Sequence, residues 1–232
     1  TYAPSEKFKF RFDYSNYMLD YDDNFNAFRD RTDNSYAFYI FYKIKPKTSI
    51  FVEYDFADIE YDTAVGRDSQ ESRYYAGVAW EMTAKSTGQF KAGMSQKDFD
   101  DAAIEDNDIF SLELQLQHQI DAKKSVTATG YRQFNETALV LADYFTLTGI
   151  NIGYQQRFTP KWTASVSATY NQESYEGLDR KDDVFSFGPA VRFKPKKWLF
   201  FDLGYQFIKR DSNLAEYEYD ANAFYFRVDL SM

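Results

Sequence analysis

The chain has 232 residues, a formal net charge of -9 and no cysteine, and 20% of its residues are aromatic although the mean hydropathy is -0.60. The absence of cysteine excludes disulfides and thiolate metal sites, and the acidic balance argues against a nucleic-acid partner, because phosphate neutralisation needs clustered lysine and arginine. The sequence contains no apolar run long enough for a transmembrane helix. Many aromatic residues at low mean hydropathy are typical of a transmembrane β-barrel, in which only alternate residues meet lipid.

Alternation of apolar and polar residues predicts twelve strands along the chain. The clearest example, "FSLELQLQHQ" at residues 110–119, places Phe110 and three leucines on one face and polar side chains on the other. Most of the predicted strands are about 10 to 12 residues long, as tilted spans of a bilayer require. They cover residues 7–17, 35–45, 49–60, 72–82, 87–98, 108–120, 125–135, 143–158, 161–173, 184–194, 198–209 and 221–231.

Five lysine-bearing turns give the chain a period of about 38 residues. They begin at residues 45, 83, 121, 159 and 195, and longer polar stretches alternate with them. With an even number of antiparallel strands, all the short turns lie at one end and all the long loops at the other, as in outer-membrane barrels. The sequence therefore predicts one domain, residues 1–232, that is all-β: an antiparallel up-and-down transmembrane β-barrel of 12 strands with short periplasmic turns and long extracellular loops. We expect it to be integral to the bacterial outer membrane.

The apolar face of the strands is expected to meet lipid. Trp80, Trp162 and Trp198 are predicted interface anchors, and the last two stand beside lysine turns, where interfacial tryptophan is expected. The alternative is the core of a soluble protein, which would need a second layer to cover this face. No helical pattern in the sequence supplies such a layer.

Charged residues on the opposite face are expected to line a wet lumen. Basic residues collect towards the turn-side mouth, which favours an anionic solute, while salt bridges that close a narrow barrel are the alternative. We also expect a bulge at Pro189, and Arg132, on the lipid face, either meets headgroup phosphates or is turned inward by a bulge. The predicted lumen-lining residues are Lys9, Arg11, Lys43, Lys45, Glu53, Asp55, Lys91, Glu113, Arg157, Arg192, Lys194, Asp202, Arg227 and Asp229.

Catalytic and metal chemistry find little support in the sequence. His118 is the only histidine and lies on the predicted lipid face, so no Ser-His or Cys-His pair can form; we predict no enzyme and no cofactor. Asp20, Asp22 and Asp23 are spaced like the start of a calcium loop, but Phe25 replaces the glycine that an EF-hand requires. A weak calcium site is the sharper interpretation of these acids, and a solvated acidic rim is the simpler one.

One stretch of the chain resembles a known family. Residues 73–101 contain Gly77, Trp80, the turn "TAKST", Gly93 and "KDF". This pattern resembles the repeating hairpin of Gram-negative β-barrel proteins encoded with exopolysaccharide systems, the putative β-barrel porin 2 family. The resemblance implies passage or tethering of a polysaccharide, and it provides no catalytic residues.

These observations favour a passive channel for small hydrophilic or anionic solutes, or for export of a polysaccharide. The main alternative is a structural or docking barrel with a closed lumen and acidic loops that bind a partner or a cation; an enzymatic barrel comes third. The expected partners are outer-membrane lipid and lipopolysaccharide, an oligosaccharide or polysaccharide, and a divalent cation at the loops. No nucleic acid is expected, and the sequence identifies no protein partner.

Overall fold

The computed structural model describes residues 1–22, 25–63, 66–83 and 85–231, and twelve strands make up most of this part of the chain. The strands are β1 (Phe8–Leu19), β2 (Arg31–Lys45), β3 (Thr48–Tyr61), β4 (Ser69–Thr83), β5 (Ser86–Phe99), β6 (Asn107–Asp121), β7 (Lys124–Glu136), β8 (Tyr144–Arg157), β9 (Trp162–Glu176), β10 (Arg180–Lys196), β11 (Leu199–Ser212) and β12 (Tyr219–Leu230). Two short 3₁₀ turns, Ala27–Arg29 and Ala215–Tyr217, lie in loops. Within the described ranges no helix has the length and apolar character to cross a membrane.

Every strand pairs antiparallel with the next one in sequence, which confirms the predicted up-and-down topology. The strands contain 12 to 17 residues, more than the roughly 9 to 11 that a tilted bilayer span needs. The extra residues lie mainly on the side of the long loops: β2 begins at Arg31 and β10 at Arg180, each four residues earlier than predicted. The loop-side ends of the strands therefore project beyond the bilayer.

The outer edges of β1 and β12 are the two edges that barrel closure must join, because lipid offers no water to unpaired backbone groups. Among the described residues, the ladder of paired strands ends at these two strands, and most of their side chains are exposed on both faces. The chain before β1 folds back along this edge: the Tyr2 and Phe10 backbones exchange hydrogen bonds of 2.8 and 2.7 Å.

Aromatic residues form cross-strand pairs on the outer face. The Phe8 and Tyr42 ring centroids lie 5.1 Å apart, and those of Phe12 and Phe38 lie 4.8 Å apart; both pairs are directly opposite in the ladder. Such pairs stabilise a sheet by packing. Phe12 is 52% exposed and Phe38 49% exposed, so no second layer within the described part of the chain covers these rings, and lipid is their expected solvent.

The structure corrects the expectation of a bulge at Pro189. Pro189 pairs with Val166 of β9 in unbroken register. On the β11 side the ladder omits Gly188 and Pro189 and resumes at Ala190 in the same register, because proline has no N–H to donate. The missing donor therefore removes backbone hydrogen bonds between β10 and β11, but no extra residue is inserted into β10. The shift in register between these two strands lies farther along, after Phe193.

Candidate functional site: the interior wall

The charged face of the sheet forms the interior wall, and its burial varies along the strands. Inner-face side chains of β3 to β6 are among the most buried in the described part of the chain, including Glu53 at 4%, Lys91 at 5% and Lys97 at 0% exposure. Two inner-face arginines on the turn side of β10 and β12 are more open: the Arg192 and Arg227 side chains are 46% and 59% exposed. The interior is thus packed along β3 to β6 and open to water around these two arginines.

Cations on the turn side of the wall lie over aromatic rings. The Lys9 ammonium is 4.1 Å from the Phe41 ring centroid, and the Arg11 guanidinium is 3.8 Å from that of Tyr39. Farther along the sheet, Lys194 of β10 is 4.6 Å from the Phe200 ring centroid of β11. Cation–π contacts hold these groups against the wall, and Arg11 also forms an ion pair with Asp13 at 2.8 Å. Lys43 and Lys45 are exposed at the β2–β3 turn.

Arg157 lies at the same rim and donates a 2.5 Å hydrogen bond to the Ala122 carbonyl of a neighbouring turn. This contact leaves the guanidinium exposed. Together with the lysines of the β2–β3 turn, it gives the turn-side mouth a positive charge.

Near the middle of the wall, Lys91 lies between two carboxylates. Its ammonium is 2.6 Å from Glu53 and 3.1 Å from Glu113, and it lies 4.3 Å from the Tyr75 ring centroid. Asp55 lies one inner-face position beyond Glu53 on β3, and its Oδ1 has no hydrogen-bond partner among the described residues. The strand register places these side chains together: Lys91 is directly opposite Glu113 on β6.

A polar cavity of 360 Å³ lies on the wall formed by β8 to β12. Asp202 accepts hydrogen bonds from Arg192 at 2.6 and 2.9 Å and from Arg227 at 3.2 Å, and Arg227 also contacts Asp229 at 3.1 Å. Two arginines thus face two aspartates, with both guanidinium groups still reaching solvent. The lining residues are Gln155, Thr163, Ser165, Ala190, Arg192, Asp202, Tyr225 and Arg227.

On the loop side, two networks of buried charges occupy the interior, and their residues are not among the predicted site residues. In the first, Lys97 contacts Glu136 at 2.7 Å and Glu71 at 3.1 Å. In the second, Arg180 and Arg210 both contact Asp182, which is 1% exposed. Glu71, Lys97, Asp182 and Arg210 have inner-face parity, so the alternation pattern could have identified them. Glu136 has outer-face parity, and no local pattern indicates its inward position.

The remaining predicted site residues lie at the rims. Trp162 is 45% exposed and stacks on Phe193, with 4.4 Å between centroids, while Trp198 is 47% exposed with the Lys196 ammonium 5.2 Å from its ring centroid. Trp80 is half-buried and covers Gly88 on the neighbouring strand. All three stand near turns, where interface anchors are expected. Their role as anchors stays a prediction.

The candidate calcium ligands lie at the far rim. Asp20 and Asp22 are exposed after β1, and Asp23 lies outside the described residues. In the described ranges, no three histidine, cysteine, aspartate or glutamate side chains are grouped to hold a metal. The calcium site therefore stays a prediction.

Comparison with known proteins identifies the family. The model of the family described as putative beta-barrel porin 2 matches residues 8–232. The chain belongs to this family. Family membership and the fold together establish an integral outer-membrane β-barrel. No curated protein matches the chain in sequence.

One of three solved structures reported for comparison supports the fold. The FrpB iron transporter from Neisseria meningitidis matches with 8% identity and a TM-score of 0.58; the match covers 82% of this chain but 38% of FrpB. A loop-deletion mutant of OmpT from Vibrio cholerae (10% identity, TM-score 0.44) aligns over 97% of this chain and 99% of its own. A Pseudomonas aeruginosa FadL homologue (13% identity, TM-score 0.40) aligns over 89% of this chain and 68% of its own. The first match supports the fold alone, and the other two carry no further weight.

Proposed function

We propose that this porin-family barrel is a passive channel for small hydrophilic or anionic solutes, or for an exported polysaccharide strand, and that it is not an enzyme. The observation that carries the proposal is the polar cavity on the wall of β8 to β12, where the Arg192 and Arg227 side chains remain 46% and 59% exposed. Two exposed guanidinium groups above a floor of threonine and serine offer hydrogen-bond donors to carboxylate and hydroxyl groups of a passing solute.

The first test is single-channel recording in planar bilayers with the purified, folded protein. We expect stable ohmic steps, a reversal potential on the anion-selective side in a salt gradient, and block by an acidic oligosaccharide at lower concentration than by a neutral one of equal length. His118→Ala should leave the currents unchanged, because the only histidine is exposed at the outer face.

A matched pair of variants tests where selectivity arises. Arg192→Gln combined with Arg227→Gln removes two interior cations and leaves Asp202 without its partners, so selectivity should move towards cations. Lys209→Gln removes a cation whose side chain is 47% exposed on the other face of β11, and it should change nothing. Silence of the correctly inserted protein in the parent and in every variant would contradict the channel, and equal selectivity of the conducting proteins would contradict this cavity as the transport path.

One observation favours the second candidate, a structural or docking barrel with a closed lumen. The loop-side interior contains the buried Lys97, which is 0% exposed and paired with two carboxylates. Ion pairs of this kind close space that a wide pore would leave to water. Under this candidate, the acidic loops would be the working surface, and the protein would insert in bilayers without conducting.

A further inference from the structure

The end of the β7–β8 hairpin leaves the plane of the sheet on the loop side. The β6–β7 ladder stops at the pair Leu112–Arg132, although β6 begins at Asn107 and β7 continues to Glu136. The β7–β8 ladder, in contrast, continues to the pair Glu136–Tyr144. The two strands of the hairpin therefore stay together while they separate from β6.

Arg132 marks the point of separation, and its contacts exclude the alternative in which a bulge turns it inward; contact with headgroup phosphates stays a prediction. Its Nε donates a 3.0 Å hydrogen bond to the Phe110 carbonyl of β6, and Nη1 donates one of 3.1 Å to the Thr148 hydroxyl of β8. The side chain stays on the outer face. It donates to the Phe110 carbonyl, which lies beyond the last β6–β7 backbone pair. It neither turns inward nor depends on a bulge.

Beyond this point, the outer-parity side chains of the hairpin pack against the inner face of the sheet. Phe134 and Tyr144 share the parity of the lipid-facing residues, yet they are only 4% and 1% exposed. They form a cluster with Ile109 of β6, and the Phe99 ring of β5 stacks on Tyr144 at 5.5 Å. Because Ile109 and Phe99 belong to the inner face, the hairpin end lies inside the barrel as a second layer.

Charged contacts hold the hairpin end across the interior. The Glu136 carboxylate accepts from the Lys97 ammonium at 2.7 Å and from the Tyr61 hydroxyl at 2.6 Å. Arg67, in the loop after β3, donates to the Leu139 and Val140 carbonyls at 2.6 and 3.1 Å. Since β3 and β7 are four strands apart in the sheet, these contacts cross the loop-side mouth.

We propose that the end of the β7–β8 hairpin, residues 133–146, is a gate over the loop-side mouth, held closed in this structure by Lys97 and Arg67. This inference rests on the proposed channel function and adds a way in which the channel opens and closes. Opening would return the hairpin to the plane of β6 and would hydrate Lys97, Glu71 and Glu136 together. The buried charges have lost their hydration, which costs free energy in the closed state. Because opening hydrates all of them, this hydration offsets much of the attraction that is lost when the ion pairs separate.

The test uses the absence of cysteine from these 232 residues. Ala142 in the hairpin loop is 0% exposed and Val140 is 70% exposed. Ala142→Cys should therefore react slowly with a charged, water-soluble methanethiosulfonate when the gate is closed, and Val140→Cys should react rapidly in every background. Lys97→Met and, as a milder change outside the strands, Arg67→Met should each accelerate labelling of the Ala142→Cys protein at least about tenfold.

Lys91→Met is the matched control, because it removes a buried lysine with two carboxylate partners that does not touch the hairpin. Folding of each variant is checked by its mobility on SDS gels without heating. If the folded Lys97→Met and Arg67→Met proteins are labelled at the parent rate, the gate is overturned. Equal acceleration by Lys91→Met would also overturn it, because the effect would then be general loosening.

Bilayer currents on the same proteins separate the gate from the channel. Faster labelling together with larger or more frequent open steps supports both. Faster labelling with no current from any variant would show a movable hairpin and overturn the channel. Equal currents from parent and variants, with unchanged labelling, would overturn the gate and leave the channel standing.

Discussion

The Lys91→Met substitution gives the sharpest energetic test of the interior. Lys91 is 5% exposed and lies 2.6 Å from Glu53, itself 4% exposed. Methionine has nearly the same length as the lysine stem, so the change removes the charge while largely preserving the packing against Tyr75. Glu53 is then left as a buried carboxylate without its cation.

The expected cost follows from which partners can reach water. Removing one member of a buried ion pair typically destabilises a protein by about 3–5 kcal/mol, because the other charge stays buried and unpaired. The second partner, Glu113, adds little, since its side chain is 32% exposed and can be hydrated. The double variant Lys91→Met with Glu53→Gln removes both buried charges, and we expect it to recover most of the loss.

Urea unfolding of the protein in phospholipid vesicles, followed by tryptophan fluorescence, measures this difference. Lys209→Met on the outer face serves as the control, because the Lys209 and Asp211 side chains are 47% and 59% exposed and should contribute nothing measurable. A free energy of unfolding for Lys91→Met within about 1 kcal/mol of the parent value would refute the reasoning. It would mean that water reaches Glu53 and that the lumen is open at this level.

Three further changes test other parts of the molecule. Asp182→Asn removes the buried carboxylate that Arg180 and Arg210 share; Arg210 keeps Glu173 at 2.8 Å, but the buried Arg180 loses its acidic partner, so the urea midpoint should fall clearly. Burial raises the pKa of Asp143, in the loop before β8, so its protonated form favours the folded state, and that stabilisation is present at low pH and lost as the pH rises through the folded pKa. Asp143→Asn should therefore raise the melting temperature at pH 8 and leave it unchanged near pH 3. Gly77→Val places a Cβ 2.4 Å from the Phe51 ring, and it should cost about 1–3 kcal/mol on urea unfolding.

Local alternation was sufficient to predict the strands, their order and the two faces of the sheet. A residue's parity in a strand depends only on its neighbours in sequence, and the 38-residue period fixed which connections lie together. Alternation predicted the ends of the strands less well. Polar residues such as those at the start of β2 look like loop in sequence, yet they continue the ladder beyond the bilayer, where water is present on both faces.

The contacts across the interior could not be predicted in this way. Phe134 and Glu136 continue the outer-face parity of β7 without interruption, so the pattern assigns them to lipid. Their inward position depends on the separation of β7 from β6 at Arg132, which is a consequence of packing with Ile109 and Tyr144. Side chains that meet across a lumen are distant in sequence, and a single sequence carries no record of such pairs.

The same charged face thus has two physical states along one molecule. On the wall of β8 to β12, Arg192 and Arg227 stay exposed above a polar cavity, and their charge remains available to a solute. On the loop side of β3 to β7, Lys97 is fully buried, and two carboxylates neutralise its charge. Composition cannot distinguish a conducting interior from a closed one, because both need the same residues. Under the proposed gate, the distinction lies in whether the β7–β8 hairpin follows β6 or crosses the mouth, and the contacts of Glu136 are then the ones that decide between the two.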